Sequence, residues 1–387
     1  MFSIFEAFAK LTIISVIVIA LLLIFYVLLI AGLCIGFFRL KNESTNFDNQ
    51  VFSDTKTRFS IIIPFRNEAR HLEALLETLN CLDYPDELYE IILINDGSTD
   101  RSLEVIENFL AAHQRLELKT LNNKRVSGSP KKDALNLGIA EAKMDWIITT
   151  DADCRVPSNW LKHYNYKILR EACTFIAGPV CFYEDQNQLL DAFQQLDFLS
   201  LQGATIGSFG LSRPFMCNGA NLGFLKSSFL RLNGYAANNH IASGDDVFLM
   251  QQFLEADAKA VGYLKTWHAL VETAPQPDLK SLINQRKRWA AKASAYKSRF
   301  AVLVSVLVLL GNASAVAGLF FAEIYYLLIL KVAIDFLLIW CTATLFAQKK
   351  QLKHYVWVAL VYPFFTLYIA LVSQFGKFSW KGRDFKK

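Results

Sequence analysis

The stretch "WIITTDADCRVP", Trp146 to Pro157, is an apolar run that stops abruptly at two carboxylates spaced one residue apart, Asp151 and Asp153. Upstream, "FSIIIPF" (Phe59 to Phe65) and "YEIILIND" (Tyr89 to Asp96) have the same shape. An amphipathic segment follows each of those two, predicting helices over about Ala69 to Leu82 and Ser102 to His113. Continuous β-branched runs separated by helices signal a mostly parallel sheet covered on both faces, so the fold class is α/β.

In such sheets a ligand binds beyond the carboxyl ends of the strands, so the residues directly after each apolar run matter most. They are Pro64, Arg66, Asn67 and Glu68 after the first strand, "NDGSTD" (Asn95 to Asp100) after the second, and "DADC" (Asp151 to Cys154) after the strand Trp146 to Thr150. One Asp-Gly-Ser-Thr-Asp run by itself reads as a turn into a capped helix. Three such ends at one sheet edge point instead to a binding site. Two acids beside a phosphate-bearing ligand would repel it unless a divalent cation lay between them, and oxygen ligands of this kind suit Mg2+ or Mn2+.

The rest of the chain is unlike a soluble protein: its 387 residues are 53% hydrophobic. Leu11 to Phe38 is 28 residues without a charge, where roughly 20 suffice to cross a bilayer. A signal peptide is the alternative, but its apolar core runs only about 7–15 residues. Three more apolar segments, Ala301 to Phe321, Ile324 to Ala347 and Tyr355 to Phe375, crowd the C-terminus. The expected organisation is an N-terminal segment over 1–10, a transmembrane helix over 11–38, a linker over 39–57, the α/β domain over 58–298, a bundle of about three membrane helices over 299–376 and a basic tail over 377–387.

Arg39 and Lys41 follow the first helix, and Lys349, Lys350 and Lys353 separate the last two segments. By the positive-inside tendency they place the α/β domain in the cytoplasm, on an inner or plasma membrane. A third C-terminal crossing would then put the tail outside, yet it carries Lys377, Lys381, Arg383, Lys386 and Lys387. Either the last segment, which contains Pro363, dips in and returns, or another segment fails to span. The net charge of +5 gathers near the membrane ends, which fits an anionic leaflet better than a nucleic-acid groove, so no nucleic-acid partner is expected. Seven scattered cysteines without a C-x-x-C pair indicate neither a disulfide framework nor a zinc site and read as reduced thiols.

Between Ser60 and Ala293 the chain carries, in order, "IIIPFRNEARHLEALLETL", "EIILINDGSTDRS", "PKKDALNLGI", "DADC", "NGANLGF", "GDDVFLMQQF" and "QRKRW". In these motifs and their order it resembles the family 2 glycosyltransferases, inverting enzymes of the GT-A fold that use nucleotide-sugar donors. The resemblance implies that Asp96 holds the nucleotide base, with Pro64, Arg66 and Glu68 in the same pocket, and that Lys131 helps bind the donor. Pro130 stands where many members have Gly. Asp151 and Asp153 match the D-x-D pair that binds nucleotide sugar and Mg2+ or Mn2+, with Asp153 the more direct ligand. Asp246 matches the base that takes the acceptor proton; helix capping is the plain alternative, since Asp is favoured in a first turn. Asp245, Asn218 and Gly219 match positions beside donor sugar and acceptor. Gln285, Arg288 and Trp289 form the Q-x-x-R-W motif that closes over the diphosphate and acceptor, whereas Arg286 and Lys287 read as membrane-boundary anchors.

Two features lie outside these motifs. "LLDAFQQLDFLSL" (Leu189 to Leu201) reads either as an interfacial helix guiding a lipid acceptor or as a core helix. Lys331 and Asp335, one turn apart in an apolar segment, either pair with each other or meet a lipid head group. The expected activity is transfer of one sugar from a nucleotide-sugar donor, in the first instance a UDP-sugar, to a lipid or glycan acceptor at the cytoplasmic face. A processive polysaccharide synthase is the alternative enzyme, and an inactive membrane scaffold the alternative of another class.

Overall fold

A computed structural model of the chain describes residues 2–43, 56–113, 117–183, 188–236, 244–293, 298–374, 378–380 and 383–385. Helix α1 spans Phe2–Arg39. It absorbs the expected separate segment 1–10, because "FSIFEAFAK" holds no Pro or Gly to stop a helix and Glu6 pairs with Lys10 one turn on at 3.0 Å. Most of the linker lies outside the described residues.

β1 (Phe59–Phe65), α2 (Leu72–Asn80), β2 (Tyr89–Asn95), α3 (Ser102–Ala112), β3 (Leu118–Asn122), α4 (Pro130–Glu141) and β4 (Trp146–Thr149) alternate as the apolar pattern predicts. There follow β5 (Cys154–Arg155), α5 (Trp160–Arg170), β6 (Phe175–Ala177), β7 (Val180–Phe182), α6 (Gln188–Gly210), β8 (Leu222–Leu225), α7 (Lys226–Arg231), α8 (Val247–Ala256), β9 (Val261–Tyr263), β10 (Val271–Thr273) and α9 (Leu279–Ala293). The chain closes with α10 (Arg299–Gly318), α11 (Tyr325–Leu345), α12 (Tyr355–Val372) and a hairpin of β11 (Phe378–Trp380) and β12 (Arg383–Phe385).

The main sheet runs β3-β2-β1-β4-β8-β6-β9, and a small one runs β5-β10-β7. β3, β2, β1 and β4 are parallel, whereas β8 is antiparallel to both β4 and β6. Successive side chains of β1 enter opposite cores: Ile61 and Ile63 pack with α2 and α3, Ile62 with α4. Both faces are dry, which explains why these strands read as unbroken apolar runs. Truncating Ile61 or Ile62, both fully buried, should cost about 2–5 kcal/mol.

α6 outruns the segment seen in the sequence and is the joint between domain and membrane helices. At its start, Gln194 donates to Gln276 O at 3.0 Å and accepts from Gln276 N at 2.8 Å. At its end it meets α1 backbone to backbone: a Cβ on Gly207 would fall 2.3 Å from Leu33 O, and one on Gly210 1.8 Å from Gly36 O. Only glycine permits that approach. α6 is therefore enclosed by protein along most of its length, and the core alternative holds over the interfacial one. Lys265, after β9, locks the same junction by donating to Phe37 O at 2.5 Å and Leu40 O at 2.8 Å, a cation on the unsatisfied carbonyls of the α1 C-terminus.

Among the described residues, four helical stretches are long and apolar enough to cross a membrane: Lys10–Arg39, Arg299–Gly318, Ala322–Leu345 and Lys349–Val372. Within them Lys331 pairs with Asp335 at 2.8 Å, and Tyr26 of α1 donates to the other oxygen of Asp335 at 2.9 Å. Mutual pairing is thus the arrangement adopted, and it ties α1 to α11 where an unpaired charge would be costly.

Candidate active site

The ends of β1 and β2 are laced together by short polar bonds. Arg66 donates to Asp96 O at 2.8 Å and Gly97 O at 2.6 Å. Asn67, in the left-handed region at φ 53°, accepts from Thr99 N at 2.8 Å, and Glu68 N donates to Ser102 Oγ at 2.9 Å. Asp100 accepts from Ala69 N at 3.0 Å and from Ser102 Oγ at 2.5 Å. Burial raises the Asp100 pKa, but the hydrogen bonds from Ser102 and Ala69 outweigh it, so the carboxyl ionises more readily than usual. The aspartates of "NDGSTD" thus divide the work: Asp100 holds the loop while Asp96 lines the cleft.

The side chain of Asp96 meets two residues that the sequence reading passed over. Asn123 donates to its Oδ1 at 2.9 Å and Arg125 at 3.2 Å, both from the loop after β3. That loop is held in turn by Asp133, which accepts from Val126 N at 3.0 Å and Ser127 N at 2.9 Å. Pro130 fits without strain as the first residue of α4, where its missing N–H is not needed.

Next along α4, Lys131 stands between the two acid motifs, 2.8 Å from Asp151 and 3.0 Å from Asp245. Burial works to lower its pKa, but Asp151 and Asp245 together outweigh it and hold the ammonium well above its ordinary value. Arg288 feels Asp245, Asp151, Asp246 and Asp153, although burial pulls its pKa below the usual guanidinium range. Four carboxylates against these two cations leave a formal deficit that one divalent cation would cancel. Among the described residues no group of three or more metal-ligating side chains is gathered, and a pair of strand-end acids such as Asp151 and Asp153 suits an ion such as Mg2+, which takes one or two carboxylates and draws its other ligands from substrate phosphates and water.

Asp246 caps α8, accepting from Val247 N at 2.8 Å, so the capping alternative is realised while the residue also lines the cleft. Gly219 lies in a turn, closed by Asn221 N donating to Asn218 O at 3.1 Å, and is also a close approach: a Cβ there would sit 3.1 Å from Asp245 Oδ2 and 3.5 Å from Lys131 Nζ. Thr149 fixes it by donating to Gly219 O at 2.9 Å, and Asn218 Oδ1 accepts from Ala220 N at 3.0 Å. Asn221 in the same motif is structural: fully buried, it accepts from Trp160 Nε1 and Tyr164 OH and donates to Pro179 O and Ala269 O.

On α9, Arg286 proves to be more than a boundary anchor. It is buried, bound to Asp197 of α6, donates to Gln285 Oε1, and lies 4.2 Å from the Trp289 ring centroid. Trp289 also packs on Phe198, centroids 6.0 Å apart, and Phe198 on Phe182 at 4.6 Å.

Pro64, Arg66, Glu68, Asp96, Lys131, Asp151, Asp153, Asn218, Gly219, Asp245, Asp246, Gln285, Arg288 and Trp289 all line one cavity of about 640 Å³. The β1 and β2 loops contribute to its lining, as do the apolar side chains of Phe182, Phe198, Leu201 and Met216, two of them from α6.

Two family descriptions match the chain: Glycosyl transferase family 2 over residues 60–224 and Glycosyl transferase family group 2 over residues 146–380. Glycosyltransferase AglE of Haloferax volcanii is 23% identical over 259 residues, covering 64% of this chain and 80% of that protein. Poly-beta-1,6-N-acetyl-D-glucosamine synthase of Staphylococcus epidermidis is 24% identical over 233 residues, 60% of this chain and 53% of the synthase. Poly(ribitol-phosphate) beta-N-acetylglucosaminyltransferase TarS of Staphylococcus aureus is 28% identical over 119 residues, 31% of this chain and only 19% of TarS. Among solved structures, the mannosyltransferase PcManGT from Pyrobaculum calidifontis, in complex with GDP-Man and Mn2+, has a TM-score of 0.55 at 15% identity, covering 92% of this chain and 99% of that one. The α/β domain therefore has the GT-A fold, and the chain belongs to the family 2 glycosyltransferases.

Proposed function

We propose that this protein is a membrane-bound inverting glycosyltransferase that moves a sugar from a nucleotide-sugar donor to a lipid or lipid-linked acceptor at the cytoplasmic face. The observation that carries the reading is the cavity itself, which gathers Asp96, the acidic centre and the apolar side chains Phe182, Phe198, Leu201 and Met216, with Phe198 and Leu201 on α6, the helix seated directly on α1. A polar donor and an apolar-tailed acceptor would each find matching side chains.

In this reading Asp96, Pro64, Arg66 and Glu68 hold the nucleoside, and Lys131 and Arg288 face the diphosphate. The Asp246 carboxylate takes the proton of the acceptor hydroxyl, whose oxygen attacks the anomeric carbon opposite the departing nucleoside diphosphate. A single displacement inverts the sugar. Gln285 and Trp289 close the site over diphosphate and acceptor, beside Asn218, Gly219 and Asp245. Mg2+ or Mn2+, held by Asp153 with Asp151, would supply positive charge against the leaving diphosphate, stabilising the transition state more than the ground state. A UDP-sugar is the first donor to try, although the GDP-Man bound by PcManGT keeps GDP-sugars in the panel.

The test follows nucleoside diphosphate release from UDP-, GDP- and dTDP-sugars by purified protein with Mg2+ or Mn2+, with and without membrane lipid extract. Lipid-dependent release from one donor, lost in Asp246→Asn, is expected; no release from any donor by folded protein would reject the reading. Mn2+ binding, read directly by electron paramagnetic resonance, should weaken strongly in Asp153→Ala. The likeness to a polysaccharide synthase favours a second reading, repeated addition. Mass spectrometry of the product separates the two, since a ladder of long chains would reject single transfer.

A further inference from the structure

The cavity contains a polar group that the proposed reaction leaves unused. On α6, Phe198, Leu201, Gln202 and Thr205 all line it, at positions i, i+3, i+4 and i+7, so one stripe of the helix faces the cavity. Phe198 packs on Phe182 with ring centroids 4.6 Å apart and on Trp289 of α9 at 6.0 Å. Gln202 stands one helical turn from Phe198 on that stripe and is 5% exposed. Its Oε1 is committed to the fold, accepting from Val180 N of β7 at 3.3 Å and from Tyr263 OH of β9 at 3.5 Å. These two donors settle which end of the amide is which. The oxygen turns to the strands, and the NH2 end, which nothing among the described residues accepts from, is left for the cavity that the residue lines.

Thr205, one turn further along, is buried as well and donates its own proton to Leu201 O at 2.8 Å, so toward a ligand its hydroxyl oxygen acts as an acceptor. The stripe therefore offers a donor and an acceptor side by side on a surface that Phe198 and Leu201 otherwise make apolar. A hydrocarbon chain laid along it would keep the buried amide NH2 unpaired, which is costly. A phosphate would find no proton on Thr205. A sugar ring satisfies every group: its C–H face covers the aromatic side chains, and its hydroxyls, each a donor and an acceptor, pair with Gln202 Nε2 and Thr205 Oγ1.

We propose that Gln202 determines acceptor specificity, and that the group it reads is a hydroxylated sugar ring, carried by a glycolipid or by a free glycan. The inference rests on the transferase reading and narrows it: the acceptor already bears a sugar, and is not a bare lipid alcohol or lipid phosphate.

The experiment uses the purified full chain in a detergent without a sugar head group, with the donor and metal that give release with lipid extract. Octyl glycosides of several sugars, the matching methyl glycosides, 1-octanol and octyl phosphate are offered as acceptors, and products are read by mass. A glycoside should be extended while 1-octanol and octyl phosphate are not. Extension of the octyl form alone identifies a glycolipid source, and extension of both forms a free glycan. Extension of 1-octanol or octyl phosphate in preference to every glycoside would overturn the proposal, as would failure to extend any glycoside by protein active on lipid extract. Absence of release with the extract itself would reject the transferase reading, and this inference with it.

Two variants test the residue. Gln202→Glu keeps an oxygen for Val180 N and Tyr263 OH but removes the donor, and Gln202→Met is its uncharged companion, with thermal unfolding confirming that each folds. Each should raise the KM for the glycoside roughly 3–10-fold, as for the loss of one neutral hydrogen bond. Affinity for the released nucleoside diphosphate should stay at the parent's value. Deoxy versions of the glycoside supply a readout that a structural role would not move: removing the hydroxyl that Gln202 reads should cost the parent the same factor and Gln202→Glu nothing further. An unchanged KM in both variants, or equal deoxy penalties in parent and variants, would reject the role of Gln202.

Discussion

Arg286 grips Asp197 through two nitrogens, Nε at 2.7 Å and a terminal nitrogen at 2.6 Å from the same carboxylate oxygen, with side chains 7% and 4% exposed. The pair ties α9 to α6 and, through Gln285 and Trp289, supports two residues that line the cleft. Removing one partner leaves a buried charge uncompensated, so Arg286→Met should lose about 3–5 kcal/mol of stability. Replacing both, in Arg286→Met with Asp197→Leu, should recover much of that stability, because an apolar pair of similar volume is often neutral. Turnover should stay depressed in the double variant, since Gln285 and Trp289 remain unsupported. Thermal unfolding beside steady-state kinetics reads the difference. Full recovery of both would reduce the pair to a structural contact.

Asp246 has two jobs that one substitution can separate. Asn at this position can still accept from Val247 N and cap α8, but it cannot take a proton. Asp246→Asn should therefore keep its unfolding temperature while turnover falls by about 10²–10⁴, the usual worth of a general base. Asp246→Ala should lose the cap as well, at about 1 kcal/mol. Nearly full activity in the Asn variant would remove Asp246 from the chemistry.

Lys131, between Asp151 and Asp245, makes a prediction of opposite sign for two quantities. Lys131→Met removes a cation that competes with a divalent ion for Asp151, so Mn2+ should bind more tightly. The same change removes a charge facing the donor diphosphate, and turnover should fall by roughly 10²–10³, as when a single preorganised donor is lost. Its raised pKa keeps the ammonium protonated, so Lys131 should add no pH dependence near neutrality. Mn2+ affinity and turnover falling together would indicate a collapsed site.

What the sequence revealed, and what it hid, follows from how local each signal is. The strand-end acids Asp96, Asp151 and Asp153 were legible because a dry strand announces itself as an apolar run and ends within one or two residues. Gln285, Arg288 and Trp289 were legible through the family resemblance, as a motif short enough to lie on one helix. Arg286 was misread because its partner Asp197 is 89 residues away, and a basic residue next to a membrane bundle looks the same whether or not it is paired. Asn123 and Arg125 sit in a polar loop whose course is set by side-chain-to-backbone bonds from Val126 N and Ser127 N to Asp133, which leave no pattern in the sequence. Gly36, Gly207 and Gly210 pass for ordinary members of helical runs until α1 and α6 are seen to touch.

His163 offers a pH test remote from the cleft. It is 2% exposed on α5, with its ring stacked on His268 at 5.7 Å. Burial, and secondarily the neighbouring His268, push its pKa down to about 4. The imidazole is therefore neutral in the folded protein, whereas the unfolded chain takes up a proton as the pH falls below about 6.5. Between those values the unfolded state binds more protons, so the stability contributed by neutral His163 is complete above about pH 6.5 and is lost as pH falls toward 4. The full loss is on the order of 3 kcal/mol, at about 1.4 kcal/mol per pKa unit. His163→Gln removes this titration while keeping a polar side chain of similar length. Its unfolding temperature should be lower than that of the parent at about pH 7.5, yet fall less steeply on acidification to about pH 5. Thermal unfolding in detergent across that range is the measurement, and equal steepness in the two proteins would show that the acid sensitivity arises elsewhere.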